Sequence, residues 1–161
     1  MQSVLRNMIL AMAAVVFAAS MSSIAAQSKD PKIGTWKLNV EKSKFSPGPA
    51  YKSLTVTFEP AGKGVKVTTS GVNADGSAAA TEYTANYDGK DYPLKGSAMA
   101  DTVSLKRVNS LTTTRTDKKD GKVVSQFKNA VAKNGKTYTV TIKGKTPKGE
   151  PLNNTLVFEK Q

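Results

Sequence analysis

The stretch IGTWKLNVEKSKF, residues 33–45, opens the folded part of this chain. It contains the single tryptophan, Trp36, followed by polar Lys37 and apolar Leu38 in alternation. Such alternation predicts a β-strand with one buried face, because successive side chains of a strand point to opposite sides. The sequence therefore predicts a β-domain whose first strand carries its one indole.

Residues 1–26 have the composition of a secretory signal peptide. One positive charge, Arg6, precedes an apolar run over 8–19, and the small residues of SMSSIAAQ follow. A transmembrane helix needs roughly 20 apolar residues, so an uncleaved N-terminal anchor is the weaker alternative. We expect cleavage after Ala25 or Ala26. That leaves 27–161, 135 of the 161 residues, as a single domain of ordinary size in the periplasm or outside the cell.

The chain has neither cysteine nor histidine. Their absence removes the thiol nucleophile, the usual general base at neutral pH and the commonest ligands of transition metals. No pair of carboxylates suits glycoside hydrolysis, and the residues around Asp75 lack the full ligand set of a calcium loop. We therefore expect no enzyme, no cofactor and no metal.

The formal net charge is +12. This excess favours contact with nucleic acid, anionic polysaccharide or lipid headgroups. The alternative is a solvated lysine surface, because dispersed lysines protect the edges of sheets. Basic runs interleaved with aromatics, which single-strand nucleic-acid binders use, are not seen. We expect no nucleic-acid partner, and binding to an anionic envelope polymer remains an alternative.

After residue 26, short runs rich in Val, Thr, Tyr and Leu alternate with Gly, Asp, Asn and Pro clusters, the pattern of an all-β meander. The pairs Asp88-Gly89, Asp120-Gly121 and Asn134-Gly135 predict tight antiparallel hairpins, since they tolerate positive φ. The predicted strands are 35–40, 52–59, 64–70, 79–87, 90–94, 102–108, 110–116, 122–132, 136–143 and 153–160.

Alternation also assigns one apolar face to the strands, with Lys and Thr on most opposing positions. The predicted inward residues are Leu54, Val56, Phe58, Val65, Val67, Tyr83, Ala85, Tyr87, Val103, Leu105, Leu111, Tyr138, Val140, Ile142, Leu156 and Phe158. A long sheet with one apolar face must bury it against itself. We expect an antiparallel up-and-down meander closed into a β-barrel of 8–10 strands.

A first strand with Gly34 and Trp36, then a meander and a last strand NTLVFEK, resembles the calycin superfamily of lipocalins and fatty-acid-binding proteins. The mature chain looks like exported bacterial lipocalin-like proteins of unknown function, and its strand count looks like the fatty-acid-binding branch. The resemblance implies that Gly34 and Trp36 close the narrow end of the barrel. It also implies that a basic residue from a late strand packs over the indole.

Two departures from the fatty-acid-binding branch limit what the resemblance implies. The segment EKSKFSPGPAYK stands where that branch has a helical lid, and its prolines prevent two helices. Phe45 and Tyr51 are the candidate plugs of the mouth. Leu156 and Phe158 stand where that branch reads a ligand carboxylate with Arg and Tyr, so fatty acid is not implied as the ligand.

The candidate ligand-binding residues are two arginines and four aromatics: Arg107, Arg115, Tyr83, Tyr87, Tyr138 and Phe158. Two inward guanidinium groups would hold an anionic group by forked hydrogen bonds. Alternatively the arginines bend outward to water, or one stacks on Trp36. The aromatics line an apolar pocket or merely fill the core, because small barrels do either.

These residues support two functions. The first is an exported, monomeric binding protein for a small apolar or amphipathic ligand, with an anionic end near Arg107 and Arg115. The alternative is a module with a filled core that binds anionic envelope polymers through its cationic surface. An empty interior of a few hundred Å³ would favour the first.

Overall fold

The computed structural model describes residues 30–48, 51–146 and 148–161. The predicted signal segment 1–26 lies outside these residues, so its cleavage stays a prediction. Within the described ranges, no helix is long and apolar enough to cross a membrane.

Every regular element of the described residues is a β-strand, which confirms the all-β prediction. The strands are β1 (Gly34–Lys44), β2 (Tyr51–Ala61), β3 (Gly64–Asn73), β4 (Ala78–Asn86), β5 (Asp88–Pro93), β6 (Thr102–Arg107), β7 (Thr112–Lys119), β8 (Lys122–Val131), β9 (Thr137–Lys145) and β10 (Pro151–Lys160).

The ten strands form one antiparallel sheet in the order β4-β3-β2-β1-β10-β9-β8-β7-β6-β5. Consecutive strands are therefore neighbours, apart from β4 and β5, and the first strand pairs with the last. Trp36 lies opposite Lys160 in that ladder, and Leu38 lies opposite Phe158. The predicted up-and-down meander is confirmed.

The sheet closes incompletely between β4 and β5, its two outer strands. Only an isolated bridge between Glu82 and Lys95 joins the two edges in the described residues. The tight hairpin predicted at Asp88-Gly89 is wrong. Asp88 already pairs with Lys106 of β6, and its carboxylate accepts hydrogen bonds from the Lys90 amide and the Tyr92 hydroxyl. β5 therefore pairs with β6 and not with β4, and the isolated bridge leaves the barrel nearly, but not fully, closed.

The other two predicted hairpins are present. Asp120 and Gly121 have φ values of 50° and 74° between β7 and β8, the positive angles that a tight two-residue turn needs. Gly135, at φ 69°, lies in the β8–β9 turn, where Ala132 donates a backbone hydrogen bond to Thr137.

The predicted inward faces form the core. Fourteen of the sixteen predicted inward residues are buried, while Tyr87 and Leu111 are half-buried. Each of the ten strands runs between the same two ends of the barrel. We call the end that holds Trp36, Phe58 and Tyr138 the closed end. The opposite end, where Tyr51 begins β2 and the segment 94–101 joins β5 to β6, is the mouth.

Candidate functional site

A cavity of about 220 Å³ lies inside the barrel between the closed end and the mouth. Aliphatic and aromatic side chains from β2, β3, β9 and β10 line one side of it. Polar side chains of β7 and β8 line the facing part of the wall. An apolar chamber with a few convergent polar groups is the ordinary form of a small-molecule site.

The closed end is a packed aromatic cluster. Trp36 is fully buried, and its ring lies 5.5 Å from that of Tyr138. Phe58 and Phe158 contact the same tyrosine, each with a centroid distance of 5.5 Å. Such tilted and edge-on pairs are favourable beyond the apolar area they bury. The floor of the cavity is therefore a densely packed set of rings.

The indole of Trp36 is also held by two lysines, Lys32 before β1 and Lys160 at the end of β10. Its Nε1 donates a 2.7 Å hydrogen bond to the Lys32 carbonyl oxygen. The Lys160 ammonium lies 5.1 Å from the centre of the Trp36 ring. The basic residue over the indole thus comes from β10, the last strand, and not from Arg107 or Arg115.

Lys32 is a buried cation that lines the cavity at its floor. Its Nζ donates a 3.0 Å hydrogen bond to Thr113 Oγ1, lies 3.9 Å from the Asp30 carboxylate and lies 4.6 Å from the Tyr87 ring centre. Burial lowers its pKa to about 8, although Asp30 acts in the opposite direction and nearby Arg107 lowers it further.

Asp30 links this cation to the outer surface. Its Oδ2 accepts hydrogen bonds of 2.6 Å from the Tyr87 hydroxyl and 2.8 Å from Arg107. Burial opposes its ionisation, but the Lys32 charge and these hydrogen bonds bring the Asp30 pKa below the ordinary value. Burial and the bond to Asp30 raise the pKa of Tyr87. The closed end is therefore held by a charged network as well as by rings.

A second ion pair lies halfway up the cavity wall. On β7, Arg115 Nε donates to Asp117 Oδ1 at 2.5 Å, and its Nη2 donates to Oδ2 at 2.7 Å. The guanidinium carbon lies 4.8 Å from the ring centre of Tyr83 and 4.6 Å from that of Phe127. Burial opposes the charge, yet Tyr83 and Asp117 raise the pKa of Arg115. The cation is thus fixed and permanently charged.

The polar wall continues on β8 and reaches the mouth. Asn129 Oδ1 accepts a 3.1 Å hydrogen bond from the Tyr138 hydroxyl. Ser125, four residues earlier on the same strand and closer to the mouth, is also buried. Asn154 of β10 accepts a 2.8 Å bond from the Ser46 amide and so holds the loop after β1. At the mouth, Tyr51 lines the cavity with Phe45 edge-on at 6.4 Å.

The structure separates the two predicted arginines. Arg115 lines the cavity, whereas Arg107 is exposed, bonds Asp30 and stacks at 4.2 Å on the outer side of Tyr87. The four predicted aromatics, Tyr83, Tyr87, Tyr138 and Phe158, all line the cavity. Arg107 and Arg115 do not form one anion site, and the ligand-binding role of the six residues stays a prediction.

Sequence reasoning missed the carboxylates and the lysine of this site. Asp117 shares the alternation phase of Thr113 and Arg115, so the same period that marks Arg115 as inward also marks Asp117. Lys32 precedes the first strand, where no period applies. Its burial follows from the chain crossing the closed end before β1, which the sequence pattern does not show.

No family model matches this chain, and no curated protein matches it. Among the solved structures that are similar to it are the following two. Zebrafish ileal bile acid-binding protein complexed with cholic acid has 10% identity and a TM-score of 0.49, covering 81% of this chain and 99% of its own. A redesigned β-barrel, mFAP1, bound to DFHBI, has 14% identity and a TM-score of 0.44, covering 81% and 95%.

The architecture itself is a nearly closed β-barrel: ten antiparallel strands in a meander, with no helix among the described residues. In the same part of the chain, no group of three or more Asp and Glu side chains converges on a metal-sized site.

Proposed function

We propose that this protein is an exported, monomeric binding protein that holds a small apolar or amphipathic molecule inside its barrel. The observation that carries this proposal is the cavity of about 220 Å³, with its aromatic floor and polar wall. This volume lies below the roughly 300–1,000 Å³ that drug-sized ligand pockets span. The size favours a compact ligand over a long-chain lipid.

Binding energy would come from apolar surface. Each Å² of ligand and wall removed from water contributes roughly 25 cal/mol, and a preformed chamber avoids the cost of ordering loops. The aromatic floor and the β2, β3 and β9 side chains provide this surface. The polar wall orients the ligand, because buried hydrogen-bonding groups must find partners.

The binding test uses a neutral fluorescent probe, N-phenyl-1-naphthylamine. We expect saturable fluorescence enhancement with the wild-type protein. Val140 lines the cavity and is 6% exposed, so Val140→Phe fills the chamber and lowers probe affinity at least tenfold. Val123 is 55% exposed on β8, and Val123→Phe is the matched control that keeps wild-type uptake. Equal uptake by both variants would contradict binding inside the barrel.

Native mass spectrometry of protein purified from the exporting cell supplies the second test. We expect a co-purifying small molecule whose mass is lost after denaturing extraction. The same sample tests export, because N-terminal sequencing should begin at residue 26 or 27. An intact Met1 terminus on protein in the exported fraction would contradict cleavage of the signal.

The net charge of +12 favours a second candidate, binding of anionic envelope polymers by the outer surface. The cavity counts against the filled core of that alternative. Salt-sensitive binding to dextran sulfate, together with no uptake of the neutral probe, would favour the polymer role.

A further inference from the structure

The charges inside the barrel are balanced, in contrast to the strongly cationic chain. Among the described residues, two cations, Lys32 and Arg115, line the cavity. Each lies beside a carboxylate: Asp30 is 3.9 Å from Lys32, and Asp117 is 2.5 Å from Arg115. The interior therefore presents paired charges to a ligand, and not an unmatched cation.

The ion pair with Asp117 does not use all the N–H donors of Arg115. A guanidinium has five N–H donors, and Asp117 takes one on Nε and one on Nη2. The Tyr83 and Phe127 ring centres lie 4.8 Å and 4.6 Å from the guanidinium carbon, and the Tyr83 hydroxyl also bonds the guanidinium, so part of the donor set is left over. Arg115 is thus able to donate to an acceptor inside the cavity without gaining a new counter-charge.

A carboxylate placed on those donors would meet Asp117 a few Å away. Two like charges in a site of low effective dielectric repel strongly, and one of them is then driven to protonate. A hydroxyl or carbonyl oxygen accepts the same hydrogen bonds without this repulsion. Its own hydroxyl proton also has acceptors nearby, in Asp117 and in Ser125, which is buried on the adjacent β8.

We propose that the polar group of the ligand is uncharged, a hydroxyl or carbonyl that accepts hydrogen bonds from Arg115, and that Asp117 sets this preference by repelling carboxylates. This inference rests on the proposed binding function. It narrows the ligand to neutral amphiphiles such as alcohols, ketones and esters. Asp117 is then the residue that determines specificity, and Arg115 is the residue that touches the ligand.

The floor offers no competing anion site. The Lys32 ammonium already donates to Thr113 Oγ1 at 3.0 Å, lies over the Tyr87 ring and is paired with Asp30. Its other neighbours are aromatic, with the Phe58 ring centre 5.8 Å away. A carboxylate bound to the Lys32 ammonium would lie close to the Asp30 carboxylate, which would repel it.

The test compares 1-octanol with octanoate at neutral pH, each displacing bound N-phenyl-1-naphthylamine. We expect wild-type protein to bind 1-octanol at least tenfold more tightly than octanoate. Asp117→Asn removes the repelling charge at nearly constant shape, and it should shift this ratio at least tenfold towards octanoate. The control is Asp91→Asn, which breaks an exposed pair with Lys118 (2.8 Å) and should shift the ratio less than twofold.

Several results would overturn the inference. The inference fails if the wild-type protein binds octanoate as tightly as 1-octanol. It also fails if the protein prefers octanoate and Lys32→Met abolishes that preference, because the anion site would then lie at the floor. An unchanged ratio in Asp117→Asn also overturns the inference. If circular dichroism shows that this variant is unfolded, Arg115→Met combined with Asp117→Leu replaces it, and 1-octanol affinity should fall at least fivefold. No change in that variant overturns the inference.

The two proposals fail differently. Uptake of the probe and of both amphiphiles without selectivity removes only the headgroup inference. No uptake of any of the three removes the binding function and this inference with it.

Discussion

The closed end and the mouth of the barrel are built from the same ten strands, yet they are packed differently. At the closed end, the rings of Trp36, Tyr138 and Phe158 are at most 5% exposed and contact one another. At the mouth, Met99 is 36% exposed and the half-buried Tyr51 lines the cavity. Dense packing concentrates stability at one end, and under the proposed binding function the more loosely packed end is where a ligand would enter.

The two ends also handle buried charge differently. Lys32 at the floor is linked through Asp30 to the outer surface, where Arg107 meets water. Arg115 and Asp117 pair within a single strand and face the cavity. Charge at the floor joins the segment before β1 to the closed end, whereas charge on the wall faces the cavity in which we propose that a ligand binds. The following predictions test this division.

The largest expected effect is on stability at the closed end. Trp36→Ala should lower the free energy of unfolding by about 3–5 kcal/mol, because it removes a fully buried ring and leaves a cavity. Met99→Ala at the mouth should cost less than about 1 kcal/mol. Urea denaturation followed by far-ultraviolet circular dichroism measures both. Equal losses would break the contrast between the two ends.

The second-largest effect on the free energy of unfolding is expected at the Arg115–Asp117 ion pair on the cavity wall. Asp117→Ala leaves Arg115 as an uncompensated buried charge, and we expect a loss of about 3 kcal/mol. Replacing both residues, Arg115→Met with Asp117→Leu, should cost less than about 1 kcal/mol because no unpaired charge stays inside. Guanidinium denaturation of the two variants measures the difference. A double variant as unstable as the single one would show that the pair itself stabilises the fold.

Lys32 predicts a pH effect at the floor. Its pKa is about 8 in the folded chain and 10.5 ordinarily, so between these values the unfolded chain holds more protons on this amine. The free energy of unfolding therefore rises with pH in this window, by about 1–2 kcal/mol between pH 7 and pH 9.5. Below about pH 8 the contribution is flat.

The matched variant for this pH effect is Lys32→Met, measured by urea denaturation at each pH. The difference between wild type and variant isolates the amine from the tyrosines, whose ionisation lowers stability near pH 10. A difference that stays constant from pH 7 to pH 9.5 would mean that Lys32 keeps its ordinary pKa and is not desolvated at the floor.

The smallest effect is expected on the outside, away from both ends of the cavity. Lys42 and Glu159 form a 2.8 Å ion pair with side chains 63% and 47% exposed. Exposed pairs contribute little because water and salt screen them. Lys42→Ala should leave the urea midpoint unchanged within error, and a clear loss would show that this outer pair helps to join β1 to β10.

Most of the fold was predictable because its signal is local. Leu54, Val56 and Phe58 show the period of two that a half-buried strand imposes, and Asp120-Gly121 carries the conformational tolerance that a tight turn needs. The failed hairpin at Asp88-Gly89 has the same turn residues, but there the chain changes partner strands. Turn chemistry describes a bend in the chain and does not describe which strand the chain joins next.

The site was less predictable than the fold. The aromatics Tyr83, Tyr138 and Phe158 follow the strand period and were found. Asp117 follows the same period, but an inward-facing carboxylate is predicted to be buried only when its partner, here Arg115, is known to lie inside the barrel. Arg107 follows the period and still reaches water, because it ends its strand and meets Asp30 from the segment before β1.

By itself, the sequence determined the ten strands, their inward faces and the burial of the one indole, since side-chain alternation and turn residues act over a few neighbours. Only the tertiary structure decided which charges lie inside. Lys32 meets Thr113 across 81 residues, and Arg107 meets Asp30 across 77. Charge pairing depends on distance in space, which closure of the barrel sets and sequence spacing does not.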